Sequence, residues 1–495
     1  MTDHQLVKNK LPAWLKYILL LFPFVVACFQ LRHLDNDFFF LYPTGEYIIN
    51  NGFPHTDFLS MHSNMKIVVQ QWLSSVIFYL SYSRFGEIGL FAILYTCYAG
   101  ICVLTYRLCL LISRNELVSV LISCVSNVII FAPLIVTRPQ TFTFTILLLE
   151  VYLLEKHVQT KKLRYLIGMP FISLAVINLH ASMWLMMFIF MIPFIAGAVP
   201  VHYRAIKLEA NGNLLYLILS FVLSAAAGFI NPYGMENVFY LFSSYGDTKL
   251  NGSIAEMLPT NITTTYGRII FGILFIMAVI VFFFRKNSFT VRHFCLFFGT
   301  LILGSIHRKG IPYFILFGMP AFTYAIKDLE VKLPEKIRSK ITRTIEILAA
   351  VFLIITTAFT CGNSLVKAIA ANRGFWSYYK NLDSIIEILK ESDEPIILYA
   401  NFNDGQYFEY NGFHPYIDGR AELFLEQNNK EFDYYGEWCD LRSAKIYYRD
   451  FLDKYGFNYI VVSESTDRYL FTSISHDNDY ELKFKGGNTY LFVRK

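Results

Sequence analysis

Charge is scarce in this chain. Of its 495 residues, 16% are charged and 55% are hydrophobic, with a mean hydropathy of +0.42. A soluble protein of this length needs far more charge to cover its surface, so the soluble globular class is excluded. The net charge is only +5, and the basic residues sit in short clusters between apolar runs rather than on one face. That pattern gives no support to nucleic-acid binding, and we expect no nucleic-acid partner. Cysteine pairs are also missing. Cys28, Cys97, Cys102, Cys109, Cys124, Cys295 and Cys361 lie in or beside apolar runs, Cys439 stands alone in a polar region, and no CxxC occurs. We therefore expect no structural disulfide and no zinc site. No small-residue cleavage site follows the first apolar run after Lys8 and Lys10, so it reads as a retained span, not a signal peptide. Internal repeats are absent too, which removes support for an inverted-repeat transporter.

What is present is a series of apolar runs. They predict spans over 12–32, 86–112, 117–137, 141–155, 165–177, 183–201, 214–230, 268–284, 291–306, 311–326 and 341–359, about eleven in all. The 47 Phe and 33 Tyr suit lipid contact and interfacial belts. Basic residues alternate between connections. One set holds Lys8, Lys10, Lys16, Arg107, Arg114, Lys156, Lys161, Lys162, Arg164, Arg204, Lys207, Arg285, Lys286, Arg292 and the stretch from Lys327 to Arg343. The other set is sparser. The positive-inside rule then puts the N-terminus in the cytoplasm and, with an odd span count, everything after 360 outside. The expected fold class is a polytopic α-helical membrane protein with a transmembrane part, 1–360, and an extracytoplasmic C-terminal α/β domain, 361–495. The plasma membrane is the expected location.

Two outer connections are long. Residues 33–85 are polar from Asp35 to His62 and then apolar from Trp72 to Tyr82, which predicts a helix lying along the membrane surface. The second runs from Asn231 to Gly267. In the C-terminal domain, Ile385, Ile386 and Leu389 form a helical stripe, and Pro395 to Ala400 reads as a strand. Ser443 is expected to cap a helix that stops at Gly456, with a strand over Phe457 to Ser463. Gly486-Gly487-Asn488 predicts a hairpin between Tyr480–Phe484 and Thr489–Val493.

The outer connections also hold the conspicuous polar residues. Leu34-Asp35-Asn36-Asp37-Phe38 places two carboxylates just beyond the first span. Either is placed to take a proton from an attacking hydroxyl. Two residues apart, they do not share a helix face, and whether they share a divalent metal ion is open. Arg138, Arg308 and Lys309 lie at span ends, placed to pair with a phosphate or to anchor in lipid headgroups. His180, beside Asn178, reads as a polar cap or a substrate-positioning group. Asp57 either positions an acceptor or braces its loop.

In these residues the chain resembles the large bacterial group of GT-C-fold integral membrane glycosyltransferases and their uncharacterised relatives. The resemblance runs through the Asp35-Asn36-Asp37 loop, Gly45-Glu46-Tyr47-Ile48, Pro54-His55-Thr56-Asp57-Phe58-Leu59-Ser60 and Gln71-Trp72-Leu73. It continues with Arg138-Pro139-Gln140, Asn178-Leu179-His180, Asn231-Pro232-Tyr233-Gly234 and Arg308 ahead of Ile311-Pro312. Asn403-Asp404-Gly405-Gln406-Tyr407 and Asp418-Gly419-Arg420 complete it, so nearly the whole chain is covered. It implies a polyprenyl phosphate sugar as donor, an extracytoplasmic glycan or lipid as acceptor, and a catalytic aspartate in the first loop, with Asp37 favoured. Gln71 departs from the family, whose members carry Glu before Trp-Leu. The alternatives are a flippase of lipid-linked sugars and a non-catalytic member of the same fold. The conspicuous charges sit at span ends rather than mid-membrane, which favours the enzyme.

Overall fold

The computed structural model describes residues 7–29, 34–199, 201–203, 206–208, 212–243, 254, 256–284, 290–328 and 378–495. The span expected over 341–359 and the boundary at 361 lie outside them. The chain divides into two compact units. The first takes its described residues from 1–30, 91–230 and 251–366, and the second from 31–90, 231–250 and 367–495. Residues 31–90 thus fall in the same unit as the C-terminal residues.

The first unit is helical because its runs are apolar on all sides and bury their amide groups in i to i−4 bonds. Ala13–Cys28 packs on Glu116–Leu134, Met169–His180 packs on Gln140–Thr160 and on Leu214–Ala227, and Val291–Ile306 packs on Trp184–Gly197. Among the described residues, two helical stretches are long and apolar enough to cross a bilayer, Trp72–Ser113 and Arg164–Gly197. The second covers the expected span 165–177 and most of 183–201, ending at Gly197, and the two are parted at His180 (φ −162°, ψ 75°) by a short 3-10 turn, Ala181–Met183. The run expected over 311–326 forms Ile311–Tyr313, a π-helical turn Phe314–Gly318 and Met319–Phe322. Close helix contacts use small residues. A Cβ on Gly228 would lie 2.0 Å from the Trp184 ring. The Trp184 indole donates to Ser173 (2.7 Å), whose hydroxyl donates to the Ser224 carbonyl (2.6 Å).

The basic connections gather at one end of this unit. The Lys8 amide donates to the Arg114 carbonyl, Asn115 donates to the Lys327 carbonyl, and Arg114 reaches Gln159. Gln159 bonds Glu155, which in turn takes Arg292 in a bidentate pair at 2.8 and 2.9 Å. At the other end Asn178 donates to the Ile230 carbonyl (3.1 Å).

In the second unit, Phe38–Asn51 is a helix within the first loop. Trp72–Ser113 starts here and breaks at Gly86 (φ 59°, ψ −152°), where the expected surface helix ends and the expected span begins. The C-terminal residues form a four-stranded mixed sheet. Leu398–Tyr399 runs parallel to Tyr459–Ser463, which pairs antiparallel with Thr489–Arg494, itself paired with Tyr480–Gly486. The predicted hairpin is present, with Gly487 at φ 57°. Helix 378–390 buries Leu382, Ile385, Ile386 and Leu389. Ser443 corrects the expected cap: it ends the helix Tyr434–Arg442, and the helix stopping at Gly456 begins at Tyr448 after Tyr447.

Candidate active site

The Asp35-Asn36-Asp37 turn leads into Phe38–Asn51. Asp35 Oδ1 accepts from the Asp37 amide (3.2 Å), and its carbonyl accepts from the Phe38 amide (2.9 Å). Asp37 is the first flanking residue of the helix, and its side chain makes no capping bond to the first turn. Asn36 points the other way: its Nδ2 donates to the Asn403 carbonyl (2.7 Å), and Tyr379 donates its hydroxyl to Asn36 Oδ1 (3.2 Å). Phe38 and Phe39 follow, buried among Tyr42, Tyr82, Tyr379, Tyr407 and Tyr410. A Cβ on Gly45 would lie 2.2 Å from the Ser75 carbonyl oxygen, so only glycine lets this helix meet the one beginning at Trp72. Gln71 lies at the start of that helix, where its carbonyl accepts from the Ser75 amide.

Asp57 is bracing. Its buried carboxylate accepts from Arg420 Nη1 at 2.5 Å and from the Ser60 amide at 2.9 Å. Arg420 also holds Asp418 (2.5 Å) and Glu409 (3.1 Å), and the side chains of all three acids are fully inaccessible. Burial alone would raise the Asp57 carboxyl, but the Arg420 charge together with the hydrogen bonds from Arg420 and Ser60 outweighs it and leaves the group below its usual range. Glu409 goes the other way, pushed well up by burial and by the Asp418 charge. The Asp418-Gly419-Arg420 turn needs no left-handed glycine, as Gly419 lacks a positive φ. Gly419 is placed instead by Gln406, whose Oε1 accepts its amide at 2.8 Å. His62 completes the seat. It stacks on Tyr434 (3.8 Å) and bonds the Tyr416 carbonyl (2.8 Å), and burial pushes its pKa down to about 4.

In the first unit, segment 256–260 runs beside 305–309. The Lys309 amide donates to the Glu256 carbonyl, the Arg308 amide to the Leu258 carbonyl (both 3.0 Å), and His307 Nδ1 meets the Met257 carbonyl at 2.7 Å. Glu256 also takes Arg138 Nη1 at 3.0 Å, which brings Arg138 and Lys309 to one place. His180 Nδ1 lies 3.3 Å from the Thr143 hydroxyl, and the charges of Arg138 and Lys309 both act on its ring. The Arg308 Nε is buried with no hydrogen-bond partner among the described residues. Three cations and a histidine that the sequence singles out separately are therefore at the same end of this unit. No three His, Cys, Asp or Glu side chains among the described residues converge on a metal-holding arrangement.

Asn36, His62 and Glu409 carried no signal in the sequence. Asn36 and His62 depend on partners hundreds of positions away, Asn403 and Tyr416, and Glu409 matters through Arg420 in the same buried cluster.

No protein-family model matches the chain, and neither does any curated protein sequence. Among solved structures it is similar to ArnT from Cupriavidus metallidurans, whose crystal structure has undecaprenyl phosphate bound. The likeness covers 97% of this chain and 98% of that one, with a TM-score of 0.52 and 10% identity. It is a likeness of fold, and the fold is the GT-C architecture that the sequence resemblance implies.

Proposed function

We propose that this protein is an inverting membrane glycosyltransferase that moves a sugar from polyprenyl phosphate to an extracytoplasmic glycan, lipid or polymer. About eleven spans cross the plasma membrane, with the N-terminus in the cytoplasm and the C-terminal domain outside. The observation that carries the reading is the cationic end of the first unit, above all the buried Arg308 Nε, which has no partner among the described residues. A buried donor left unpaired costs about 1–3 kcal/mol, more on a charged group, and a lipid phosphate satisfies it. Arg138 and Lys309 add charge to the same end, and the neighbouring fold is one solved with undecaprenyl phosphate bound.

The chemistry follows from the donor. A glycosyl phosphate leaves as a group already ionised at neutral pH, so no general acid is needed. The acceptor hydroxyl loses its proton to Asp37 as its oxygen attacks the anomeric carbon. The bond to the phosphate oxygen breaks, and the electron pair leaves on the phosphate, which the arginine and lysine charges stabilise. One displacement inverts the anomeric centre. Asp35 shapes the turn that presents Asp37. No step is routed through a metal ion.

Binding tests the donor half. Purified protein in detergent should bind undecaprenyl phosphate, and Arg308→Ala should weaken that binding at least tenfold with the fold intact. Equal affinity in both would remove Arg308 from the site. No binding by the wild type would remove the lipid-phosphate donor.

A further inference from the structure

The middle residue of the Asp-x-Asp turn is not a spacer. Asn36 is half-buried and uses both ends of its amide. Its Nδ2 donates to the Asn403 carbonyl at 2.7 Å, and its Oδ1 accepts from the Tyr379 hydroxyl at 3.2 Å. A carboxamide fits this seat, since it offers a donor nitrogen and an acceptor oxygen on one carbon.

The seat is itself rigid. Asn401 Oδ1 accepts from the Asn403 amide (2.9 Å) and from the Asp404 amide (3.2 Å), forming a tight polar turn. Asn401 Nδ2 donates to Asp404 Oδ2 at 2.6 Å, and Tyr378 donates its hydroxyl to the other Asp404 oxygen. Asn401 and Asp404 are both buried. Tyr379 is buried too, held against Phe39 (5.2 Å) and Tyr407 (4.7 Å). The Asn403 carbonyl therefore faces Asn36 from a fixed turn, at the end of the strand Leu398–Tyr399. On the other side of the turn, Asp35 fixes the Asp37 amide. Between them the two neighbours clamp the peptide that carries the proposed base.

We infer that Asn36 is a positioning residue through which the C-terminal domain sets the place of Asp37. The inference rests on the proposed role of Asp37 as general base and adds to it a function for the outer domain: holding the turn in its reactive geometry. Displacing a reacting group by about 1 Å costs something like a hundredfold in rate. Releasing both bonds in Asn36→Ala should lower kcat by about 10- to 100-fold. The KM values for donor and acceptor should stay within twofold, because no substrate contact is lost. Tyr379→Phe removes one bond of the two and should cost less. Because Asn36→Ala already breaks that bond, the double variant should be no slower than Asn36→Ala alone.

A second readout needs no transferase activity. In a single-cysteine protein with Asp37→Cys, Asn36→Ala should raise the thiol labelling rate by a membrane-impermeant maleimide several-fold, with the melting temperature within 2 °C, about 1 kcal/mol or less. Unchanged labelling and unchanged kcat would overturn the inference, and so would additive kinetic losses in the double variant. If the wild type transfers no sugar, the enzymatic reading fails, and the labelling rate alone decides whether Asn36 holds the turn.

Discussion

Arg420 is the residue whose loss should be felt most in the second unit. Its guanidinium lies within 2.5 Å of Asp57 and Asp418 and 3.1 Å of Glu409, and only 10% of its side chain is accessible. Arg420→Met keeps most of the stem volume but strands the acids where solvent does not reach them. Breaking a buried pair on one side costs roughly 3–5 kcal/mol. With about 2–4 °C per kcal/mol for a unit of this size, melting should fall by roughly 6–20 °C. The loss should depend on pH. Without the guanidinium, the folded pKa of a buried acid such as Asp57 lies above its unfolded value of about 3.9, so stability falls as pH rises past that value. Differential scanning fluorimetry of the detergent-solubilised full chain at pH 5 and pH 8 reads this directly. The variant should lose more relative to wild type at pH 8. Hydrogen exchange should localise the damage to 54–67 and 405–430. An unchanged melting temperature, or an equal loss at both pH values, would refute the picture of a buried cluster held by one cation.

Other outcomes follow from the same structure. His62, held down at about 4, takes up a proton on unfolding between pH 6.5 and 4, so it costs stability as the solution is acidified through that window, up to about 3 kcal/mol. His62→Phe, which can still stack on Tyr434, should lose less of its melting temperature between pH 7 and pH 4.5 than wild type does. Asp467 has the opposite sign: burial pushes it up to about 6, and its penalty grows as pH rises from about 4 through 6. Asp467→Asn should therefore raise the melting temperature more at pH 8 than at pH 5. For the topology, an impermeant thiol reagent on intact cells should label a cysteine placed at Asn411 and not one at Lys161. The reverse pattern would overturn the orientation.

The helices of the first unit were legible because hydropathy is a local property. The runs beginning near residues 12, 117, 214 and 291 all became helices within a few residues of the expected ends. The hairpin around Gly487 was legible for the same reason. Phe38–Asn51 was not, since Pro43 and Gly45 punctuate it, and Gly45 is there for its packing on Ser75 rather than for a turn. Ser443 misled because a serine after one helix looks like a cap for the next. At the site, the candidate residues were visible by type and position, but their company was not. Nothing local tells that Asp57 faces Arg420, 363 positions on, or that Glu256 gathers Arg138 beside the Lys309 backbone.

The central claim is that Asp37 accepts the acceptor's proton in a transfer from polyprenyl phosphate. The most direct measurement is transfer of a radiolabelled sugar from its polyprenyl phosphate by purified wild type, Asp37→Asn and Asp35→Asn, with donor binding measured on the same samples. Asn keeps the shape of Asp but takes no proton, so Asp37→Asn should bind donor normally and transfer about 10²–10⁴-fold more slowly. Full transfer by Asp37→Asn with a dead Asp35→Asn would move the base to Asp35, and full transfer by the double variant would contradict the catalytic reading of this loop.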